Sequence, residues 1–452
     1  MNGVYDPRDY QAKGNGENND TAAIQTAIDA CHQNGGGMVC LSPGKYLSGS
    51  LCLKSGVFLH LLPGACILGS KNVKDYPLNY LIYAKEAEDI GIIGYGSIHG
   101  QGDSFWPGEK ELNEDVMWRK DWGEVSAYYR QCNPRPQGLI CFEGCKNIHV
   151  TDVTMENSPR WTFHLLGCKN ADIRGVTIHS PFYGPNTDGI DIDGSQEVTV
   201  SNCRIETGDD AIVIKTTGEN GNALPVRNVT ISNCILSTTC NAFKIGTETK
   251  HDIQNVVFTN SVVYSAPEQP YHGRAISGVS IEMVDGASLS QVTVSNIIMK
   301  NARCPIFIRL GNRGRGQDKP IPGRLSNIQI DNIQAYGAIL PCILSGIQEA
   351  SMKNITLTNI NMSVEGGAAE EVTMKEVSEI PADYPEAVMF GRWLPGYGLF
   401  CRYITDVTLL NVNIWLEKPD SREGIFMTQT ENLRYASILV DGKPWKSSQF
   451  DY

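Results

Sequence analysis

Val229-Thr-Ile-Ser-Asn233-Cys-Ile-Leu236 is the stretch that decides the fold. β-Branched and apolar residues alternate on either side of a central Asn, so the segment reads as two short strands meeting at a corner. The same phrase recurs along the chain. It appears as Asn147-Ile-His-Val-Thr-Asp-Val-Thr-Met155, Val198-Thr-Val-Ser-Asn202-Cys-Arg-Ile205 and Val256-Val-Phe-Thr-Asn260-Ser-Val-Val263. It returns as Val292-Thr-Val-Ser-Asn296-Ile-Ile-Met299, Ile328-Gln-Ile-Asp-Asn332-Ile-Gln-Ala335 and Ile355-Thr-Leu-Thr-Asn359-Ile-Asn-Met362. Corner Asn residues from 202 to 359 follow one another at 27 to 36 residues, one solenoid coil plus a loop of variable length. Asn tolerates the left-handed backbone of a tight corner, and stacked amides bond in a ladder from coil to coil. A propeller would carry hairpin turn signals, and a leucine-rich repeat a stricter Leu pattern. The expectation is an all-β chain, a single right-handed parallel β-helix domain over 1–452.

The flanks depart from the repeat in informative ways. Asp20-Thr-Ala-Ala-Ile-Gln-Thr-Ala-Ile-Asp-Ala-Cys31 has an N-cap candidate followed by apolar residues at helical spacing. This predicts a capping helix within 18–34 that covers the first coil, where an open edge invites strand addition. Residues 103–137 interrupt the repeat and contain Trp106, Trp118, Trp122, Tyr128 and Tyr129. An insertion of this kind in a solenoid builds one wall of a groove, and sugar rings stack on such aromatics.

Composition narrows the function. Of 452 residues, 41% are apolar and 19% charged, ordinary for a folded soluble chain. A net charge of −12 argues against a nucleic-acid partner. The same charge requires local Lys and Arg if the ligand is a polyanion. No apolar run reaches the roughly 20 residues of a membrane span, and Met1–Tyr10 has no secretory h-region. The fourteen cysteines are scattered and several recur within the repeat, as Cys203 and Cys234 do. They read as reduced, buried thiols, which favours a cytoplasmic setting. No CxxC pair has zinc-site spacing, and the reading invokes no metal and no cofactor.

The chemistry concentrates in two consecutive coils, Asn186-Thr-Asp188-Gly-Ile-Asp191 and Gly208-Asp209-Asp210-Ala-Ile-Val-Ile-Lys215. Asp188 and Asp209 are 21 residues apart, close to one coil, which sets both on one face at adjacent heights. Asp210 follows at the start of a strand. Crowded carboxylates repel, so one of them is expected to keep its proton near neutral pH. Glycoside hydrolysis requires that division between an acid and a base. Asp191 and Asp193 are assigned to turn or ladder roles.

In this repeat context the residues resemble the polygalacturonase and rhamnogalacturonase-type glycoside hydrolases of family 28. The resemblance extends through Asp20-Thr-Ala-Ala-Ile-Gln25, Gly94-Tyr-Gly-Ser-Ile-His-Gly-Gln-Gly102, Asn157-Ser-Pro-Arg-Trp-Thr-Phe-His164 and the two acidic blocks. It implies an inverting hydrolase in which Asp209 is the general acid and Asp188 and Asp210 hold and deprotonate the attacking water. It further implies that Lys215 contacts substrate and that His164 and Trp161 are structural.

Two departures shape the expected specificity. Cys240-Asn241-Ala-Phe-Lys244-Ile-Gly-Thr-Glu248 places Asn241 where the family has a histidine. Ser280-Ile-Glu282 stands where the family's Arg-Ile-Lys holds galacturonate carboxylates, and a Glu there repels an anion. Lys244 restores a positive charge, and Arg309, with Arg313 and Arg315 in the loop after it, is a candidate uronate clamp. The expected activity is exo-hydrolysis of rhamnogalacturonan or galacturonide oligosaccharides. A polysaccharide lyase and a non-catalytic carbohydrate-binding β-helix are the alternatives. The oligomeric state is left open.

Overall fold

The computed structural model describes residues 3–106, 118–119, 124–125, 132–218, 221, 224–265 and 274–447. Trp122, Tyr128 and Tyr129 of the expected wall lie outside the described residues, and Trp118 is described only as strand backbone. The chain divides into two compact units. The first comprises 1–117, 125–213 and 219–224; the second comprises 118–124, 214–218 and 225–452.

Both units are built from parallel coils, the right-handed parallel β-helix expected from the repeat. In the first, the strands that carry the site are β1 (Gly138–Glu143), β2 (Trp161–Leu166) and β3 (Ile190–Asp193). Alternate residues stack in exact register inside the coil: Ile140 on Phe163 on Ile190, and Phe142 on Leu165 on Ile192. All six are fully buried. Each such side chain removed from water is worth about 1.5–3 kcal/mol, so the column itself is the core.

Strand β4 (Ile212–Thr216) follows the acidic pair. The second unit continues with β5 (Asn241–Thr249), β6 (Ser277–Met283), β7 (Cys304–Leu310), β8 (Cys342–Ser345) and β9 (Gly396–Lys418). Its inward column runs Ile245, Ile281, Ile308, Leu344, Cys401. A second column, Val256, Val292, Ile328, Ile355, Val407, Leu433, lies on the strands that carry the repeated phrase.

The corner Asn residues have left-handed backbones, with φ between 51° and 57° at 202, 233, 260, 296, 332 and 359. Their amides form the expected ladder: Asn296 donates to Asn260 at 2.9 Å and Asn332 to Asn296 at 2.8 Å. A second ladder, absent from the sequence reading, joins Asn170 to Asn147, Asn255 to Asn228 and Asn354 to Asn327.

Helix α1 (Thr21–Gln33) buries Ile24, Ala27, Ile28 and Cys31 against the first coil, as its spacing requires. Asp20 does not cap it with its side chain. The carboxylate turns back to accept the Lys13 and Gly14 amides at 2.7 and 2.9 Å, and Asn19 Oδ1 takes the Thr21 N–H instead. All fourteen cysteines are free, ten of them buried, as the scatter of the residues suggested.

Candidate active site

In the first unit, backbone hydrogen bonds lock the acidic turns on top of one another. Thr162 N–H donates to the Asp188 carbonyl at 2.9 Å, and Gly189 N–H donates to the Asp210 carbonyl at 2.9 Å. Only glycine allows that approach: a Cβ on Gly189 would sit 2.3 Å from the Ala211 carbonyl oxygen. Thr187 ties the two turns further, donating to Gly184 O at 2.9 Å and accepting Gly208 N–H at 3.1 Å. Asp209 is held from both ends. Its carbonyl accepts Thr207 Oγ1 at 2.6 Å and its Oδ1 accepts the Asp210 amide at 2.8 Å.

The result is a compact acidic cluster. A carboxylate oxygen of Asp209 lies within 4.8 Å of one of Asp210. Asp188, Asp209 and Asp210 retain 4–5% exposure. Asp191 and Asp193 are at 0–1%.

The sequence reading did not single out Arg135 in this neighbourhood. Its Nη1 donates to Pro159 O at 2.8 Å and Pro185 O at 2.7 Å, and its Nη2 to Asn186 Oδ1 at 2.8 Å. The available signal was Pro134-Arg-Pro136, a stiff dipeptide frame for a single cation.

Strands β2 and β3 also carry a fully buried ion pair, His164 Nε2 with Asp193 Oδ2 at 3.2 Å. Cys141 Sγ is 3.8 Å from Nδ1, and Trp161 meets the imidazole edge-on at 4.9 Å. Burial opposes the imidazolium, but the hydrogen bonds to Asp193 and Cys141 and the Coulombic attraction outweigh it and push His164 up to about 10. The folded state thus binds a proton that the unfolded chain, near 6.5, releases first. This stabilisation is complete below pH 6.5 and disappears as pH rises through about 10. His164→Gln should destabilise the protein by ~3–5 kcal/mol at pH 6, and the gap from wild type should narrow steadily toward pH 10 in urea melts. A gap that does not vary with pH would refute the charged pair.

In the second unit the expected contact residues are nearly sealed. Asn241, Lys244, Glu282 and Arg309 have 0–1% exposure, against 4% for Lys215. Glu282 accepts Ser280 Oγ at 2.6 Å and backs onto Gly246, where a Cβ would come within 2.8 Å of its Oε2. Arg309 is not a clamp open to solvent. It spends its donors on Ser345 Oγ (2.9 Å), Gly346 O (3.2 Å), Glu379 O (2.8 Å) and Ile380 O (3.2 Å). Arg313 forms a two-pronged pair with buried Asp285 at 3.0 and 2.5 Å, and Arg315 pairs with Glu248 at 2.8 Å. These three arginines hold protein groups, and for Arg309 two of them belong to the segment after residue 366, which folds over its strand face.

That covering segment, 367–395, is anchored from beneath. Arg402 Nε donates to Ser345 Oγ at 2.8 Å, and its Nη atoms reach Val377 O, Ser378 O and Glu379 O at 3.2–3.5 Å. The Arg309 and Arg402 guanidinium groups lie over the Phe390 ring at 5.4 and 4.8 Å. Lys244 Nζ meets Tyr384 Oη at 3.4 Å.

Comparison with known proteins places these features in a lineage. The sequence profile of Glycosyl hydrolases family 28 matches residues 46–383, and that of Rhamnogalacturonase A/epimerase, pectate lyase-like, matches 6–60. Relatives include the exo-poly-alpha-D-galacturonosidase of Dickeya chrysanthemi, 27% identical over 72% of this chain and 60% of that protein. The match therefore spans less than two thirds of that relative's length. The endo-polygalacturonase of Pectobacterium carotovorum subsp. carotovorum is 28% identical over 75% of this chain and 84% of its own. Among solved structures, the family 28 exopolygalacturonase of Yersinia enterocolitica superposes with a TM-score of 0.70 at 20% identity, covering 95% of this chain and 78% of that one. At that identity the likeness speaks to the fold.

Proposed function

The chain belongs to glycosyl hydrolase family 28, and we propose that it hydrolyses galacturonate-containing pectic saccharides from a chain end. The observation that carries this reading is the acidic cluster: three aspartates on stacked turns, two with carboxylates within 4.8 Å, all barely exposed. Asp209 protonates the departing glycosidic oxygen. Asp188 and Asp210 share the attacking water and take its proton as the bond to the anomeric carbon forms.

Lys215, at 4% exposure the least sealed of the expected contact residues, offers positive charge of the kind a uronate needs against the net −12 of the chain. Support for exo action comes from a relative. The Dickeya relative is an exo enzyme by name, while the Pectobacterium relative is named an endo enzyme.

The test is digestion of polygalacturonate, galacturonide oligomers and rhamnogalacturonan, with product sizes and anomers followed from the first minutes. Mono- or digalacturonate as the sole early product, released from an α-linkage as the β-anomer, is the expected result. A ladder of sizes would remove the exo assignment, and products absorbing in the ultraviolet would make the protein a lyase. Cleavage confined to rhamnogalacturonan would move the substrate class to that polymer.

A further inference from the structure

We infer that Arg135 is a positioning residue: it locks the turn that carries Asp188 and fixes a positive charge beside the Asp188–Asp209 pair. The inference rests on the hydrolytic reading of the three aspartates. Arg135 lies between Pro134 and Pro136 just before β1. Its three acceptors belong to the turns that precede the next two site strands, Pro159 before β2 and Pro185 and Asn186 before β3. One guanidinium thus fastens three successive coils at the level of the acids. Asn186 sits two residues before Asp188 and has a left-handed backbone at φ 55°, a conformation that a side-chain tether helps to hold. The planar fork spans acceptors on separate turns from two nitrogens, whereas a Lys ammonium on the same stem donates from a single one.

The charge matters as much as the tether. Arg135 is faced by Cys132 from its own loop, by Arg160 from the turn before β2, and by Asp188 and Asp209 from the later turns. Burial lowers its pKa and Arg160 adds to that, while Cys132 and both aspartates pull it back. An arginine so placed stays a cation. Interaction between charges is mutual, so the same cation favours the carboxylate forms of Asp188 and Asp209. Its removal raises the pH at which each of them ionises. The base limb and the acid limb of the rate profile then both move to higher pH.

The experiment compares full-length wild type, Arg135→Ala and Arg135→Lys on a galacturonide oligomer across the acid and neutral range. Arg135→Ala should lower kcat roughly 10- to 100-fold with KM changed less than about threefold. Both limbs of its kcat/KM profile should rise by about half to one pH unit. Arg135→Lys, which keeps charge but loses the fork, should hold the limbs near wild type at a reduced kcat. Unshifted limbs in Arg135→Ala, or an effect on KM alone, would overturn the inference. Titration of 13C-labelled aspartate carboxyls by difference infrared spectroscopy gives an answer independent of turnover. An upward shift in Arg135→Ala supports the inference and none refutes it. Failure of the hydrolytic reading itself would show separately, as an inactive wild type or an Asp209→Asn variant of undiminished rate.

Discussion

Asp209→Asn lowers kcat on galacturonide oligomers by roughly 10³-fold or more and leaves the thermal midpoint almost unchanged. The two halves of that expectation have separate causes. Asn is nearly isosteric, and its Oδ1 still accepts the Asp210 amide that Asp209 accepts at 2.8 Å. The hydrogen bond from Thr207 Oγ1 to the backbone carbonyl of residue 209 is indifferent to the side chain at 209. What the amide lacks is a proton to give to the departing oxygen. The loss should therefore shrink on an aryl galacturonide, whose leaving group departs without protonation. Steady-state rates on both substrates, with melting curves, check the assignment. Turnover close to wild type on the oligomer would end the acid role of this residue.

The second large effect concerns stability. Arg402→Ala should cost ~3–5 kcal/mol, because it strands buried acceptors and leaves a void. Arg402 is 2% exposed and shares Ser345 Oγ with Arg309, at 2.8 and 2.9 Å. Without it, Val377, Ser378 and Glu379 lose donors to their carbonyls, and Phe390 loses the cation at 4.8 Å. Arg402→Lys should fall between, since an ammonium cannot span Ser345 and the 377–379 backbone together. Chemical denaturation gives the magnitude, and limited proteolysis shows whether 367–395 is released first. A variant as stable as wild type and equally resistant within 367–395 would contradict the anchoring role.

How far these features could be read from the chain follows from their range. The inward columns and the Asn260–Asn296–Asn332 ladder repeat a local phrase, so periodicity revealed them before any contact was known. The second ladder was legible by the same rule, since Asn228, Asn255, Asn327 and Asn354 each stand five residues before a corner Asn, directly ahead of the repeated phrase. Asp20 looked like a helix cap by position, yet the amides of Lys13 and Gly14 compete for it. Arg309 looked like a ligand clamp because nothing near it in sequence discloses that residues 70 positions later fold over it. Arg135 escaped notice for the same reason: its acceptors at Pro159, Pro185 and Asn186 are brought near only by the stacking of coils. Short-range pattern was legible; pairing across long loops was not.

The free thiols have a consequence of their own. Cys31 lies on the helix that covers the first coil and Cys141, Cys234, Cys304 and Cys401 at intervals along the later ones, all buried, while Cys40, Cys52, Cys66 and Cys132 are partly accessible. Burial pushes Cys304 and Cys401 well up, which silences them as nucleophiles in the folded chain. In a solenoid each coil depends chiefly on its immediate neighbours, so fraying advances stepwise. An alkylating reagent would mark each step as it happens, and the protein carries its own set of reporters for where opening begins.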